Sequence, residues 1–220
     1  ACRIFIIFAA PPEQAMEWSD NGVEGCYRFL KKVWHLAHNW QKHLPSSLQP
    51  VSNADFNTED IALRREIHSL LKQADFDMQR HQFNTVVSAA MKMLNAMQKI
   101  DPKIISPEVL QESLSILLRV LEPFSPHITH HLWSMSGFGD NIRQSQWPTV
   151  DNKALETDEI TLIVQINGKT RGKIAVSQTA DETTITHIIQ NDEQYHKYLH
   201  EKTIQKVIHI PNRLINFVVI

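Results

Sequence analysis

Between residues 21 and 136 apolar side chains recur at steps of three and four, and after residue 160 the step falls to two. That change of period divides the chain, because a stripe spaced at 3.6 residues cannot lie along a pleated strand. The first helical stripe is Cys26, Leu30, Val33, Ala37 and Trp40, flanked by Phe29 and Leu36, with Arg28, Lys31, Lys32 and His35 opposite. Asn21, three residues before Glu24, fits its N-cap. Residues 44–57, rich in Pro, Ser and Asn, read as a loop. Thr58-Glu59-Asp60 then places a cap and two acids where the helix dipole favours them, ahead of Leu63, Ile67, Leu70, Leu71, Ala74 and Met78. Phe83, Val86, Val87, Ala90, Leu94 and Met97 form a third stripe. Ser106-Pro107 and Ser125-Pro126 each put Ser at the N-cap and Pro at the first helical position, opening two more helices. The first runs through Leu110, Leu114, Leu117, Leu118 and Leu121; the second holds Ile128, Leu132 and Trp133 and stops near Gly137 and Gly139. Five amphipathic helices in succession imply a bundle.

Past residue 160, Ile160, Leu162, Val164 and Ile166 alternate with other residues up to Asn167-Gly168, a hairpin signal. The return strand runs through Ile174 and Val176. Asp181 caps a helix bearing Ile185, Ile188 and Ile189, and a Pro211-Asn212 turn joins Val207–Ile210 to Leu214–Val219. This is a ββαββ unit. A two-residue loop at Asn167-Gly168 would turn Arg171 and Lys173 onto the apolar side. A three-residue loop containing Gly168 preserves parity and lines Lys169, Arg171 and Lys173 along the other face, so it is the expected one. Residues 151–159, with Asp151, Glu156, Asp158 and Glu159 against Lys153, read as a hydrated linker. The expected fold class is therefore a mainly α helical bundle followed by a small α+β C-terminal domain. The bundle covers residues 19–150, the linker 151–159 and the C-terminal domain 160–220. The apolar run from Ile4 to Ala10 ends at Pro11-Pro12 and reads as a buried strand or helix end that began upstream.

Composition limits the chemistry. The 220 residues include 22 basic and 24 acidic side chains, and 42% are apolar, which excludes both a disordered charged tail and a uniformly basic nucleic-acid binder. Any polyanion must be held by local patches. Cys2 and Cys26 are too few and too far apart for a disulfide scaffold or a Cys-rich zinc site, so a reduced, cytoplasmic setting is expected. No apolar run approaches the ~18 residues of a membrane span, so no membrane partner is expected. There is no phosphate-cradling Gly-rich loop, nucleophile elbow or His-Glu-x-x-His motif. His127, His130 and His131 are helical neighbours with no Cys or acid placed to complete a metal site. Trp34, Trp40 and Trp133 lie on or beside apolar stripes and read as core. No catalytic residues and no metal are expected. The basic groups read either as a solvated helix face and a charged edge strand, or as phosphate contacts.

Several segments, in one order along nearly the whole chain, resemble the C-terminal region of bacterial-type leucyl-tRNA synthetases, which are class I enzymes. They include Cys2-Arg3-Ile4-Phe5, Phe8-Ala9-Ala10-Pro11-Pro12-Glu13, Glu17-Trp18-Ser19-Asp20, Gly22-Val23-Glu24-Gly25 and Arg28-Phe29-Leu30. Phe83-Asn84-Thr85, Pro123-Phe124-Ser125-Pro126-His127, Trp147-Pro148 and Val164-Gln165-Ile166-Asn167-Gly168-Lys169-Thr170-Arg171-Gly172-Lys173-Ile174 follow. The resemblance implies that residues 1–18 are the tail end of the catalytic nucleotide-binding domain. A helical anticodon-binding-type domain and a terminal domain that grips the tRNA elbow would follow. It implies a parent enzyme that joins leucine to its tRNA using ATP and Mg, with catalytic and editing domains upstream, and a fragment that is inert and holds no cofactor of its own. Leucine-accepting tRNA is the implied partner. Lys169, Arg171 and Lys173, then Arg28, Lys31 and Lys32, then Lys202, Lys206 and Arg213 are the expected tRNA contacts, made to backbone and shape. Arg3 and Trp18 read as packing elements of the catalytic domain. The alternatives are the equivalent region of another class I synthetase, for valine, isoleucine or methionine, and a helical scaffold whose charged faces bind protein.

Overall fold

In a computed structural model of the protein, which describes all residues except 46–55, 157–158, 178–179, 200–203, 211–212 and 220, the chain forms two compact units, Ala1–Leu155 and Glu156–Ile220. The first is all helical, and the second carries a four-stranded mixed sheet. The expected fold class, a helical bundle followed by a small α+β unit, is therefore the observed one.

The first unit opens with α1 (Cys2–Ala9), so the apolar run is a helix. Only Ile4 and Phe5 are buried; Ile6 and Phe8 face solvent in part. A side chain at Gly22 would collide with the Phe5 ring, so this glycine admits the close approach of α1 to the start of α2 (Asp20–Gln41). Helix α2 is capped by Ser19, whose hydroxyl accepts from the Gly22 amide, and not by Asn21 as the spacing predicts. Ser19 has the extended backbone that a cap needs, while Asn21 is already one residue into the helix. The buried side of α2 is the expected stripe: Cys26, Phe29, Val33, Leu36, Ala37 and Trp40.

Helix α3 (Thr58–Gln79) starts one residue earlier than expected at its cap. Asn57 accepts from the Asp60 amide, and Asp60 answers by accepting from the Asn57 amide. Most of the predicted loop before it, residues 46–55, lies outside the described residues. Helices α4 (Phe83–Gln98), α5 (Pro107–Leu121) and α6 (Pro126–Met135) follow the predicted stripes, and just past the end of α6 Gly137 and Gly139 both take positive φ. Ser106 and Ser125 stand at the predicted cap positions, yet neither side chain caps its helix. The Ser106 hydroxyl is taken by Asp60, to which it donates at 2.6 Å. The five helices and α1 close on one apolar core.

Residues 151–155, expected as part of a hydrated linker, instead pack on the bundle. Asn152–Leu155 is a short helix, α7, with Ala154 buried. Asp151 accepts from Arg64 Nη2 at 2.8 Å, and its own amide donates to His68 Nδ1. Residues 157 and 158 of the expected linker lie outside the described residues.

In the second unit the strand order is β2-β1-β4-β3, with β1 (Glu159–Ile166) antiparallel to β2 (Lys169–Ser177) and parallel to β4 (Leu214–Val219). Strand β3 (Ile204–Ile210) pairs antiparallel with β4. The expected single helix is two: α8 (Glu182–Asn191) and α9 (Glu193–Leu199) are separated by Asp192, whose backbone is extended and whose carboxylate accepts from the Gln194 amide. An aspartate that can cap a new helix competes with continuing the old one. One sheet face (Leu162, Val164, Ile166, Ile174, Val176, Ile215, Phe217 and Val219) packs on Ile185, Ile189, Tyr195 and Leu199. Ile188, counted with the helix stripe, is 39% exposed, the Ile160 side chain lies outside the described residues, and so does the Pro211-Asn212 turn.

Candidate nucleic-acid interface

The hairpin turn has two residues, not three. Ile166 pairs with Lys169 directly, and Asn167 and Gly168 both take positive φ, as a tight hairpin turn requires. Parity is rescued by a bulge. Gln165 pairs with Thr170 but Val164 pairs with Gly172, so Arg171 is the extra residue. Leu162, paired with Ile174, and Val176 then share a face as expected, by a different device.

The bulge also separates the three cations that sequence reasoning put on one ridge. Lys173 pairs with Ile163 and lies on the open face. Lys169, opposite buried Ile166, belongs to the packed side at the exposed tip of the hairpin. Arg171 stacks its guanidinium over the Tyr198 ring of α9, 4.5 Å from its centroid, a cation–π contact on the helical side. All three are exposed, but they point around the hairpin rather than along one side.

The hairpin tip is pinned. The Asn167 side chain donates to the Val219 carbonyl at 3.0 Å and accepts from the Val219 amide at 2.9 Å, and Gly168 N–H donates to the Asn216 side chain. At the middle of β2, Gly172 lies under Tyr195: a side chain there would stand 2.5 Å from the Tyr195 hydroxyl, which donates to the Lys173 carbonyl. Burial pushes the Tyr195 phenol up from its ordinary value. Asp181 caps α8, and hydrogen bonds from Thr184 and Thr183 hold its carboxyl down to about 2.

The open sheet face carries a feature missed in the sequence. Ile163 and Leu214 are half-buried there, and Ile208 and Ile210 pair with Asn216 and Leu214 on the same side, 39% and 42% exposed. Lys173 on edge strand β2 and Lys206 on edge strand β3 flank this aliphatic strip. The period-two pattern of β3 contained the signal: isoleucines alternate on the side that the helices do not cover. Arg213 is exposed in the turn before β4, and Lys202 lies outside the described residues.

On α2, Arg28, Lys31, Lys32 and His35 are all exposed, as the helical spacing predicts. Arg28 also reaches back one turn to Glu24 at 3.1 Å; both partners are well exposed, so the pair contributes little. Trp34 is not simply core. It is half-buried, with the His131 ring stacked 5.0 Å away and the His38 ring, one helical turn on, tilted against it at 4.5 Å. Trp40 and Trp133 are buried as expected, and Trp18 is 57% exposed, set edge-on to Phe5 with its indole N–H on Asp20.

The helical unit also holds a buried polar cluster with no counterpart in the apolar patterning. Glu112 accepts from Arg64 Nε at 2.6 Å and Nη2 at 3.0 Å and from His68 Nε2 at 3.1 Å. Burial alone would raise the Glu112 carboxyl, but the hydrogen bonds from His68 and Arg64 outweigh it and hold the group below the usual carboxylate range. The Asp151 carboxyl is lowered in the same way, its Arg64 and Lys153 hydrogen bonds overcoming desolvation. The cluster joins α3, α5 and the start of α7. Its sequence signal is weak: Arg64 and His68 are four apart on the α3 side that also carries Asp60 and Leu71.

The sequence profile of the anticodon-binding domain of tRNA ligase matches residues 60–187, more than half of the chain. Among curated relatives, the leucine–tRNA ligase of Coxiella burnetii strain Dugway is 48% identical over 99% of this chain and 27% of that protein. That of Azoarcus sp. strain BH72 is 46% identical over 99% of the chain and 25% of the relative. The chain thus spans about a quarter of the length of the curated relatives it matches. Among solved structures, the LeuRS of the Agrobacterium radiobacter K84 ternary complex with tRNA and LeuAMS superposes with a TM-score of 0.77 at 28% identity, over 99% of this chain and 28% of that one. With the helical bundle, the position of the profile match and these relatives in agreement, the chain belongs to the anticodon-binding domain family of tRNA ligases.

Proposed function

We propose that this chain is the tRNA-holding C-terminal part of a leucine–tRNA ligase. The observation that carries the reading is the similarity to leucine–tRNA ligases along 99% of the chain. The parent enzyme attaches leucine to its tRNA in the cytoplasm. ATP and Mg serve catalytic and editing parts upstream, and residues 1–18 are the tail of the catalytic domain. The bundle of residues 19–150 and the domain of residues 160–220 hold leucine-accepting tRNA, and they do so by phosphate contact and shape.

The surfaces described above support this assignment. Lys173 and Lys206 can neutralise phosphates while the strip between them offers Ile208 and Ile210 to exposed bases or riboses. Lys169, Arg171 and Arg213 extend the same charge around the domain, and Lys202, which lies outside the described residues, is proposed as a further contact. Arg28, Lys31 and Lys32 form a second cationic surface on α2. Such contacts release counterions, so affinity for tRNA falls steeply with salt. Changing Lys169, Arg171 and Lys173 together to Ala is expected to weaken binding of leucine-accepting tRNA and to flatten the salt slope by about three. An unchanged slope removes the hairpin from the interface. In the parent enzyme, deleting residues 158–220 is expected to cut aminoacylation while leucine-dependent pyrophosphate exchange persists. Equal loss of both would mean that the domain supports folding instead.

A further inference from the structure

We propose that a cavity in the helical unit, enclosed by α1, the α5–α6 junction and the 3-10 turn at Ile142–Gln144, is a binding site for a phosphate ester. The cavity measures about 360 Å³ and gathers Arg3, Arg119 and Arg143 from three separate elements against a single carboxylate, Glu122. Nothing in the tRNA reading requires it, and none of its residues belongs to the surfaces assigned above.

The donors are positioned but not used up. Arg3 spends one nitrogen, Nη2, on the Pro123 carbonyl at 3.2 Å. Arg119 makes two long bonds to carbonyls, Nε to Ser115 and Nη1 to Gln146, both at 3.3 Å. No carboxylate among the described residues forms an ion pair with either of them. Arg119 is half-buried, and its desolvation pulls the guanidinium below its ordinary value, against the pull of Glu112. A desolvated cation bonded only to neutral oxygens is a state that an anion relieves. Trp147 lines the same cavity, and its indole N–H is buried with no acceptor among the described residues. That N–H is covered, so the indole ring, rather than its N–H, is the part of Trp147 offered to a ligand in the cavity.

Glu122 opposes an anion, and the geometry limits that opposition. Its Oε1 takes Arg143 Nε at 3.2 Å, so its charge is already engaged. The lining retains an excess of two positive charges, three arginines against one glutamate. Arginine forks suit a phosphate because two parallel N–H groups meet two of its oxygens. The indole beside them suits an ester that carries an organic group rather than a bare ion. Two sources present that chemistry: a phosphate in an RNA backbone and a free mononucleotide.

The test uses the 220-residue protein at low ionic strength, titrated separately with inorganic phosphate, AMP and hexauridylate. The readout is the Trp147 indole N–H resonance, identified by its loss in Trp147→Phe. AMP is expected to shift it saturably, and inorganic phosphate to do so more weakly. Hexauridylate saturating at a concentration at least about tenfold below AMP identifies the RNA backbone as the source; equal or weaker binding identifies the mononucleotide. Arg3→Gln, at an exposed position, and Arg119→Lys, which keeps the charge but loses the fork, are each expected to weaken binding about tenfold or more. Glu122→Gln is expected to tighten it, a gain that misfolding cannot mimic. The absence of a saturable shift with all three probes overturns the proposal, as does unchanged affinity in both arginine variants.

Discussion

Glu112 binds Arg64, which is 4% exposed, through two nitrogens and accepts from His68 as well, so two buried side chains depend on one carboxylate. Glu112→Gln removes the charge but not the volume and leaves a buried guanidinium short of its partner. It is expected to destabilise the helical unit by about 3 kcal/mol, measured by denaturant unfolding. The pH dependence has a definite sign. Glu112 and Asp151 have folded-state values below their unfolded ones. Their contribution is therefore present above the ordinary carboxylate range of roughly 4 and is lost as pH falls through the depressed values. Unfolding followed from pH 6 down to pH 2 should show stability falling in acid, with a shallower fall in Glu112→Gln. At the hairpin, Asn167→Gly keeps the positive φ but removes both side-chain bonds to Val219. It is expected to cost about 1 kcal/mol and to speed amide exchange at Val219. Asn-Gly announces the turn in the sequence. That the same amide would bridge to a strand some fifty residues later is a tertiary fact, since no local pattern records the partner.

Elements were legible where one period ran unbroken. The stripe of α2 needed only its own spacing, because the face it buries is continuous. Ends were less legible, since a cap is chosen by geometry among several polar candidates: Ser19 over Asn21, Asn57 over Thr58, and Asp60 drawing Ser106 away from its own helix. The β1–β2 hairpin shows the same limit. Parity argued correctly for which apolar residues share a face, but a bulge and a longer loop satisfy parity equally well. Only strand pairing distinguishes them. Two glycines separate these levels experimentally. Gly25 sits inside α2 with open space where a side chain would go. Gly25→Ala is expected to raise the stability of the helical unit by about 0.5–1 kcal/mol in thermal unfolding. Gly172→Ala would press on Tyr195, which is fully buried and cannot swing away. It is expected to destabilise the sheet unit by about 1–3 kcal/mol, with loss of protection at the Lys173 strand position in hydrogen exchange.

At the scale of the molecule, each unit has its own apolar cluster, the first built from α1 to α6 and the second from the sheet with α8 and α9. A domain of some 65 residues can fold alone but rarely with more than about 3–5 kcal/mol of stability. Residues 156–220 expressed alone are therefore expected to melt cooperatively and at low denaturant; a non-cooperative melt would refute that autonomy. Spacing along the chain was enough to give the two-part order, the burial stripes and the exposed basic face of α2, because periodicity and charge are properties of neighbours in sequence. The sequence also carried the family, through segments in one order. The tertiary structure alone decided which way Lys169, Arg171 and Lys173 point, that Asp151 closes on Arg64 and His68, and that Arg3, Arg119 and Arg143 share one cavity. Those outcomes depend on residues tens of positions apart meeting in space, where strand register and helix packing, rather than local preference, set the distances.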